Sequence, residues 1–177
     1  MSYSGTAELN AGRVYALQNT FELNGRISAY PESARGYSVA NCYLLKEGDR
    51  AMLLDTGYAV HEAEILNQLG ALIGPDTALS LFPLRINEFM SVSNAMAIAK
   101  RFNVVECFSN VPDIEDWIEF ETLRGQERNP ILKTTIIGRG DHARQSMGLG
   151  RTIDVLNAPI RLISTRWIYD ETSKTLF

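Results

Sequence analysis

The feature that most constrains this chain is a pair of apolar runs within residues 41–57, separated by a short charged turn. The first run reads NCYLL, the turn KEGDR and the second run AMLL, and the segment ends in Asp-Thr-Gly. Apolar runs of this length, bounded by turn-forming residues, are typical of two strands joined in a hairpin. Asp55 is therefore expected at the carboxyl end of the second strand, the edge of an α/β sheet where ligands usually bind.

The segments that follow alternate between helical and strand patterns. Residues 61–73 place their apolar side chains on one helical face, residues 79–83 form a short apolar run, and a second helical pattern ends near residue 102. From residue 131 onward the sequence is richer in strand-like runs divided by glycine-containing turns. This order predicts an α/β sandwich.

Length and composition agree with one globular unit. The chain has 177 residues, of which 45% are hydrophobic and 21% charged, so neither a disordered nor a fibrous class is indicated. Residues 1–11 are small and polar and are predicted to form a flexible N-terminal arm, followed by a single domain over residues 12–177. A net charge of −4 gives no electrostatic reason to bind nucleic acid.

The two cysteines and the N-terminal sequence bear on the cellular compartment. Cys42 and Cys107 each lie within an apolar run, where a reduced thiol behaves as a small hydrophobic group. The first residues lack the basic start and apolar core of a signal peptide, and no apolar stretch reaches the roughly 20 residues of a membrane helix. A cytoplasmic protein with free thiols and no membrane contact is expected.

The segment NCYLLKEGDRAMLLDTG, followed by an amphipathic helix, a strand and a short polar motif that opens another helix, resembles the first half of the metallo-β-lactamase superfamily. Residues 162–171 and 175–177 resemble the late strand pair of the flavodiiron-type domains in that superfamily. The resemblance covers residues 12–177. It implies an αββα sandwich of metallo-β-lactamase type with a hydrolase-like ancestry.

The metal-binding motif of that superfamily is degenerate in this chain. There, the strand that matches residues 79–83 is followed by HxHxDH or HxExDH, whose side chains hold one or two metal ions and a metal-bound water. A one-residue shift in the alignment would bring in Glu88, but a single carboxylate beside an arginine does not make a metal site. At the four matching positions the chain has residues that are not competent ligands for a hard metal: Arg85, Asn87, Phe89 and Met90.

Histidines are also missing where the resemblance would place them. Residues 164–167, Ser-Thr-Arg-Trp, stand near the position of the superfamily's third histidine. The two histidines of the chain are predicted to lie elsewhere, His61 as a solvated residue in the first turn of a helix and His142 in a loop. The resemblance therefore implies no metal or other cofactor held by this chain alone, and any metal would sit in a partner subunit.

Asp55 is the one residue of the superfamily's site that this chain retains. In the superfamily the matching aspartate lies beneath the metal loop and orders its backbone and side chains. Two interpretations stay open for Asp55: it caps the turn that follows it, or it pairs with Arg85, whose guanidinium takes the place of the metal and also contacts Glu88. Ser91 and Ser93 are expected to cap the next helix.

The resemblance further implies a fold that is incomplete at its C-terminal end. The superfamily continues beyond the strand that matches residues 175–177 with further ligands, helices and a strand. Apolar surface left uncovered in this way is seldom exposed to water, so a partner chain is expected to cover it. The leading hypothesis is a non-catalytic accessory subunit that packs against a second copy of itself or a larger catalytic paralogue.

Two other functions remain open. One is a hydrolase acting on a small ester, ether or amide-type substrate, with a site completed by a partner and with Arg85, Asn87 and Glu88 polarising the substrate. The other is a binding module for a small hydrophobic ligand. That module would use the former active-site cleft. A separate hypothesis is an aromatic pocket, although large aromatic side chains in apolar runs more often belong to a core or an interface; its lining would be Trp117, Phe120, Trp167 and Tyr169.

Overall fold

The structure is a computed structural model that describes residues 3–26, 30–86, 88–118, 132–137, 142–145, 148–159 and 165–177, with residues 142–145 described by their backbone alone. Sequence positions discussed above that fall outside these ranges include Asn87, Phe120 and residues 160–164.

Among the described residues, seven strands form the first sheet, in the order of the chain. They are β1 (Ser4–Asn10), β2 (Val14–Leu23), β3 (Gly36–Glu47), β4 (Arg50–Leu54), β5 (Ala78–Phe82), β6 (Val104–Ser109) and β7 (Thr134–Ile136). Neighbouring strands are antiparallel from β1 to β4 and parallel from β4 to β7.

In the part of the chain that the structure describes, four strands form a second, antiparallel sheet in the order β11-β10-β9-β8. They are β8 (His142–Gln145), β9 (Ile153–Asn157), β10 (Arg166–Asp170) and β11 (Thr175–Leu176). The described helices are α1 (Glu62–Leu72), α2 (Phe89–Val92), α3 (Ala95–Arg101) and α4 (Ile114–Ile118), and one 3₁₀ turn (Ala59–His61) precedes α1.

The hairpin predicted from residues 41–57 is formed by β3 and β4. Glu47 pairs with Arg50, which leaves a two-residue turn of Gly48 and Asp49. Gly48 has φ +59°, while Asp49 is not among the residues with positive φ, and this sign pattern matches a type II′ turn, whose twist suits a hairpin. The hairpin prediction is confirmed.

Side chains alternate along the central strands because successive residues of a strand point to opposite faces of the sheet. Leu53 of β4 enters the core between the first sheet and the helices, whereas Met52 and Leu54 enter the core between the two sheets. The helix-side core also takes side chains from all four described helices: Ile65, Leu69, Val92, Ala95, Ile98, Ile114 and Ile118. The described residues therefore form three layers, helices on sheet on sheet, which confirms the α/β sandwich.

A partly buried ion-pair network joins the two sheets at one end. Arg151, in the turn before β9, donates Nη1 to the Lys46 carbonyl oxygen at 2.6 Å and to Glu47 Oε2 at 2.9 Å. Its Nη2 donates to Asp170 Oδ2 at 2.7 Å. Glu47 ends β3 and Asp170 ends β10, so one guanidinium connects both sheets.

The N-terminal segment departs from the expected flexible arm. Residues 4–10 form β1, which pairs with β2 from Ser4↔Asn19 to Asn10↔Val14. The Gln68 amide nitrogen of α1 donates to the Gly5 carbonyl oxygen at 3.0 Å and contacts Ser4 Oγ at the same distance. The prediction failed because backbone pairing and one buried amide hold this strand, and neither produces an apolar pattern in the sequence.

The predictions for cysteine and histidine had mixed outcomes. Cys42 and Cys107 are both buried free thiols, as predicted. His61 is buried rather than solvated, with its Nε2 3.2 Å from the Thr20 carbonyl oxygen, because the 3₁₀ turn packs against β2. His142 begins β8 instead of lying in a loop, where its backbone pairs with Leu156.

Gly57 is the glycine of the Asp-Thr-Gly segment, and two constraints require it. Its φ is +79°, and a Cβ at this position would overlap Ile65 Cδ1 and lie 3.3 Å from Cys42 Sγ. We predict that Gly57→Ala lowers the free energy of unfolding by about 2–5 kcal/mol, from backbone strain and overpacking together. Urea denaturation measures this change.

Gly48→Ala is the matched control, since Gly48 also has positive φ but a Cβ added there would meet nothing within 4 Å. It should cost only the backbone strain, about 1–2 kcal/mol. Equal losses for the two variants would contradict the packing role given to Gly57.

Candidate functional site

The candidate site lies where β4 and β5 end side by side. Leu54 pairs with Phe82 in parallel register, and the Asp55 backbone amide donates to the Phe82 carbonyl oxygen at 3.1 Å. Residues 83–86 and 88–94 then cross over this edge of the sheet before α3 begins. Asp55 and this crossing segment, here called the β5–α3 loop, form the site.

The Asp55 side chain holds the β5–α3 loop from beneath. Asp55 has φ +59°, which is uncommon for a residue other than glycine, and it is 5% exposed. Its Oδ1 accepts hydrogen bonds from the Leu84 backbone amide at 2.8 Å and from Ser91 Oγ at 2.6 Å. The described hydrogen bonds of this carboxylate thus run to the loop, and none runs to the turn that directly follows it.

Thr56 and Asn94 attach the same loop from a second direction. The Thr56 amide and hydroxyl both donate to the Ser91 carbonyl oxygen at 3.1 Å. The Asn94 side-chain amide points at the carbonyl oxygens of Thr56, Gly57 and Tyr58, at 2.8, 3.2 and 3.0 Å. The whole Asp-Thr-Gly segment is therefore hydrogen-bonded to the loop.

Arg85 lies between two carboxylates. Its Nη2 is 3.7 Å from Asp55 Oδ2, and its Nη1 is 3.1 Å from Glu88 Oε2. The same Nη2 is 3.0 Å from Met90 Sδ, so two positions of the degenerate motif touch each other. The guanidinium therefore lies between the buried Asp55 and the partly exposed Glu88.

The start of β10, near the position of the superfamily's third histidine, contacts the β5–α3 loop. Thr165 forms an isolated antiparallel bridge with Arg85, and the Arg166 amide donates to the Leu84 carbonyl oxygen at 3.0 Å. The start of β10 in the second sheet is thereby joined to the β5–α3 loop of the first. The positions at which the resemblance would place histidines are neighbours in space, although neither is a histidine.

The described residues of this site, which do not include Asn87, do not fit a metal ion. Asp55 Oδ1 already accepts two hydrogen bonds and Oδ2 faces a guanidinium, which donates hydrogen bonds and cannot ligate a cation. Within the ranges that the structure describes, no group of three or more His, Cys, Asp or Glu side chains is arranged to hold a metal ion. The donor chemistry of the described residues therefore does not suit the metal that the superfamily's motif would hold.

Burial has the largest effect on the pKa of Asp55. Desolvation raises the pKa of the Asp55 carboxyl above its usual range, against the hydrogen bonds from Ser91 and Leu84 and the positive charge of Arg85. Burial, with the Asp55 charge nearby, also raises the pKa of the Cys42 thiol, which keeps it protonated and unreactive. Burial and the Glu88 charge raise the pKa of the Tyr58 hydroxyl.

Aromatic side chains line one flank of the site, although they are not the predicted set. Phe21 makes edge contacts with Tyr58 and Tyr30, with ring centroids 5.5 and 6.2 Å apart. By contrast, Trp117 packs on the helix-side core, while Trp167 lies on the second sheet. A single pocket lined by both tryptophans is wrong because they lie on opposite sides of the first sheet.

Neither serine of the loop caps the start of a helix, since Glu88 and Asn94 are the N-cap residues of α2 and α3. Ser91 is fully buried; its hydroxyl donates to Asp55 and accepts from the Arg85 amide at 3.2 Å. The Ser93 hydroxyl donates to the Phe89 carbonyl oxygen, one turn earlier. The prediction that they cap a helix was wrong because tertiary partners take the first hydroxyl and the preceding turn takes the second.

Sequence reasoning found Asp55, Arg85 and Glu88 but gave no structural role to Ser91 and Asn94 in holding the loop. A signal was present, since small polar residues interrupt an apolar helical pattern at these two positions. Which partners they would bind depends on the crossing of the loop over β4, and that crossing is a tertiary feature.

Comparison with known proteins identifies the fold. The structure is similar to rubredoxin oxygen:oxidoreductase from Desulfovibrio gigas, with a TM-score of 0.71 and 17% sequence identity over 97% of this chain and 40% of that one. It is similar to the Flv1 flavodiiron core from Synechocystis sp. PCC6803, with a TM-score of 0.70 and 12% identity over 99% and 41%. The DIM-1 metallo-β-lactamase gives a TM-score of 0.66 and 11% identity over 98% and 68%.

These likenesses confirm the metallo-β-lactamase fold, with flavodiiron cores among its structural neighbours. The chain spans about 40% of the length of the flavodiiron proteins it matches. No family model matches the sequence, and the search of curated proteins gave no match. In the parts of the chain that the structure describes, none of the helices has the length and apolar character needed to span a membrane.

Ser91→Ala tests the attachment of the loop to Asp55. The substitution removes a buried hydroxyl that serves both Asp55 and Arg85, so we predict a loss of about 1–3 kcal/mol in the free energy of unfolding. Ser93→Ala, which removes an exposed hydroxyl two residues away, should change it by less than about 0.5 kcal/mol. Equal effects in chemical denaturation would contradict the role given to Ser91.

The raised pKa of Asp55 predicts a pH dependence of stability. Near this pKa the folded state binds more protons than the unfolded state, so stability is greatest below the ordinary aspartate value of 3.8 and falls as pH rises through the raised value. Asp55→Asn cannot titrate and lacks this loss. Denaturation at several pH values should therefore show that the free energy of unfolding of the variant rises relative to that of the unsubstituted chain as pH rises from about 4. A constant or opposite difference would contradict the raised pKa of Asp55.

Proposed function

We propose that this chain is a non-catalytic, accessory subunit with a metallo-β-lactamase fold, and that it acts by packing against a partner protein. The observation that carries the proposal is the saturation of the former metal loop. Asp55 Oδ1 accepts hydrogen bonds from the Leu84 amide and the Ser91 hydroxyl, and Oδ2 lies 3.7 Å from the Arg85 guanidinium, so a cation bound at Oδ2 would have to displace that arginine.

The outer face of the second sheet supports a contact with a partner. Trp167 of β10 is 38% exposed and Leu176 of β11 is 54% exposed, and Leu156 of β9 pairs directly with Trp167 on the same face. The described helices all pack on the other side of the molecule, against the first sheet. A cluster of large apolar groups of this kind is typical of a protein interface, where tryptophan often supplies much of the binding energy.

A hydrolase whose site is completed by a partner is the enzymatic alternative. Arg85 and Glu88 are each about one-third exposed, so both reach solvent beside Tyr58. Their charges are already paired with each other, however, and substrate polarisation by Arg85 would first require that pair to open. The accessory role is therefore preferred to the hydrolase.

A small-molecule binding module is the third possibility. A half-open groove of about 320 Å³ lies between α1 and α3. Its lining mixes apolar side chains such as Leu66 and Met96 with the charged Glu62 and Lys100. Burying those two charges under a purely hydrophobic ligand would be unfavourable, which makes the groove a poor match for such a molecule.

The proposal is tested by mass and metal content. We expect the purified chain to contain less than stoichiometric zinc, iron and manganese, and to form an assembly in native mass measurement, either with itself or after coexpression with a paralogue that has an intact HxHxDH motif. Stoichiometric metal would overturn the non-catalytic role. A chain that stays monomeric under both conditions would overturn the contact.

Trp167→Glu tests the face that makes the contact. It should dissociate the assembly at least about tenfold more readily, because it places a charge in an apolar interface. Val60→Glu is the matched control, since Val60 is 75% exposed and lies on the helical side, before α1. Equal weakening by the two variants would place the contact elsewhere and refute the assignment of this face.

A further inference from the structure

The site contains a positive charge that belongs to the chain itself. Asp55 is buried, and a buried carboxylate is costly unless hydrogen bonds and an opposite charge compensate it. Its Oδ1 is satisfied by two uncharged donors, the Leu84 amide and the Ser91 hydroxyl. Its Oδ2 faces the Arg85 guanidinium, which supplies a positive charge beside this acid.

The outer contacts of Arg85 complete the arrangement. Nη1 pairs with Glu88 at 3.1 Å, three residues further along the loop, and Nη2 lies against Met90 Sδ. Its own backbone is fixed as well, because the Arg85 amide donates to Ser91 and its strand bridge reaches Thr165. Both the backbone and the head group of Arg85 thus connect Asp55, the β5–α3 loop and the second sheet.

We propose that Arg85 is a built-in counter-ion that replaces the metal ion for which this fold provides a loop, so that the loop keeps its shape without any added ion. A metal ion can dissociate or be chelated, whereas an arginine is always charged and is covalently part of the loop. The inference goes beyond the partner contact proposed above and does not depend on it, since the loop would be closed in the isolated chain as well.

The charged and titratable groups around Asp55 make the proposal measurable. The groups that face it or act on it are the Arg85 guanidinium, the Glu88 carboxylate and the Cys42 thiol, and the Tyr58 hydroxyl lies near the first two. Arg85 lowers the pKa of Asp55, while Glu88 raises it. Neutralising each in turn should therefore move the titration of Asp55 in opposite directions.

The first experiment follows the Asp55 carboxyl carbon by NMR across pH in the full chain. Arg85→Met should shift its titration to higher pH and Glu88→Gln to lower pH. Arg101→Met, which removes a surface arginine at the end of α3, should leave it unchanged. Arg85→Lys keeps a charge and should titrate close to the unsubstituted chain. A titration that Arg85→Met leaves in place or lowers would overturn the proposal.

The second experiment measures the thermal midpoint with EDTA and with one equivalent of Zn²⁺, Fe²⁺ or Mn²⁺. None of these additions should change the midpoint of the unsubstituted chain, whereas Arg85→Met should lower it by roughly 3–6 °C. If Arg85→Met does not fold, the metal and EDTA measurements on the unsubstituted chain and the titration of Arg85→Lys decide the matter. A midpoint that rises with metal and falls with EDTA would overturn the proposal.

Discussion

The hydrogen bonds that the Asp55 carboxylate accepts are the interactions on which this structure depends most. It stands at the end of a central strand, in a backbone conformation that few residues other than glycine adopt, and it is almost wholly buried. Such a position is tolerable only because the Leu84 amide, the Ser91 hydroxyl and Arg85 compensate the charge. The path of the loop over the sheet follows from those three contacts.

The same contacts show how groups of this chain hold the loop in place. The Arg85 guanidinium lies 3.7 Å from the buried Asp55 carboxylate, and its second described acidic partner is the partly exposed Glu88. The loop is consequently held by several hydrogen bonds and ion pairs. Apolar side chains are exposed on the outer face of the second sheet, at Trp167 and Leu176.

The two sheets are held together by different forces at different places. Over most of their area, apolar side chains from β4, β5, β9 and β10 form a continuous core. At one end the buried Arg151 connects Glu47 to Asp170, and at the other the Arg85–Thr165 bridge brings the second sheet up to the loop. The core supplies most of the stability, and the polar contacts fix how one sheet is aligned on the other.

The sequence by itself determined the β3–β4 hairpin, helix α1, the buried thiols and the absence of the superfamily's metal motif, because each is encoded within a few neighbouring residues by apolar periodicity, turn chemistry or residue type. Tertiary structure decided the rest. Strand β1 has no apolar pattern of its own and exists because β2 pairs with it, and His61 is buried because β2 packs over it. Ser91 serves Asp55 instead of a helix end because the loop crosses the end of β4, which brings together residues 36 positions apart. Contacts of that range depend on how the strands are arranged in space, and the local pattern around each residue does not specify them.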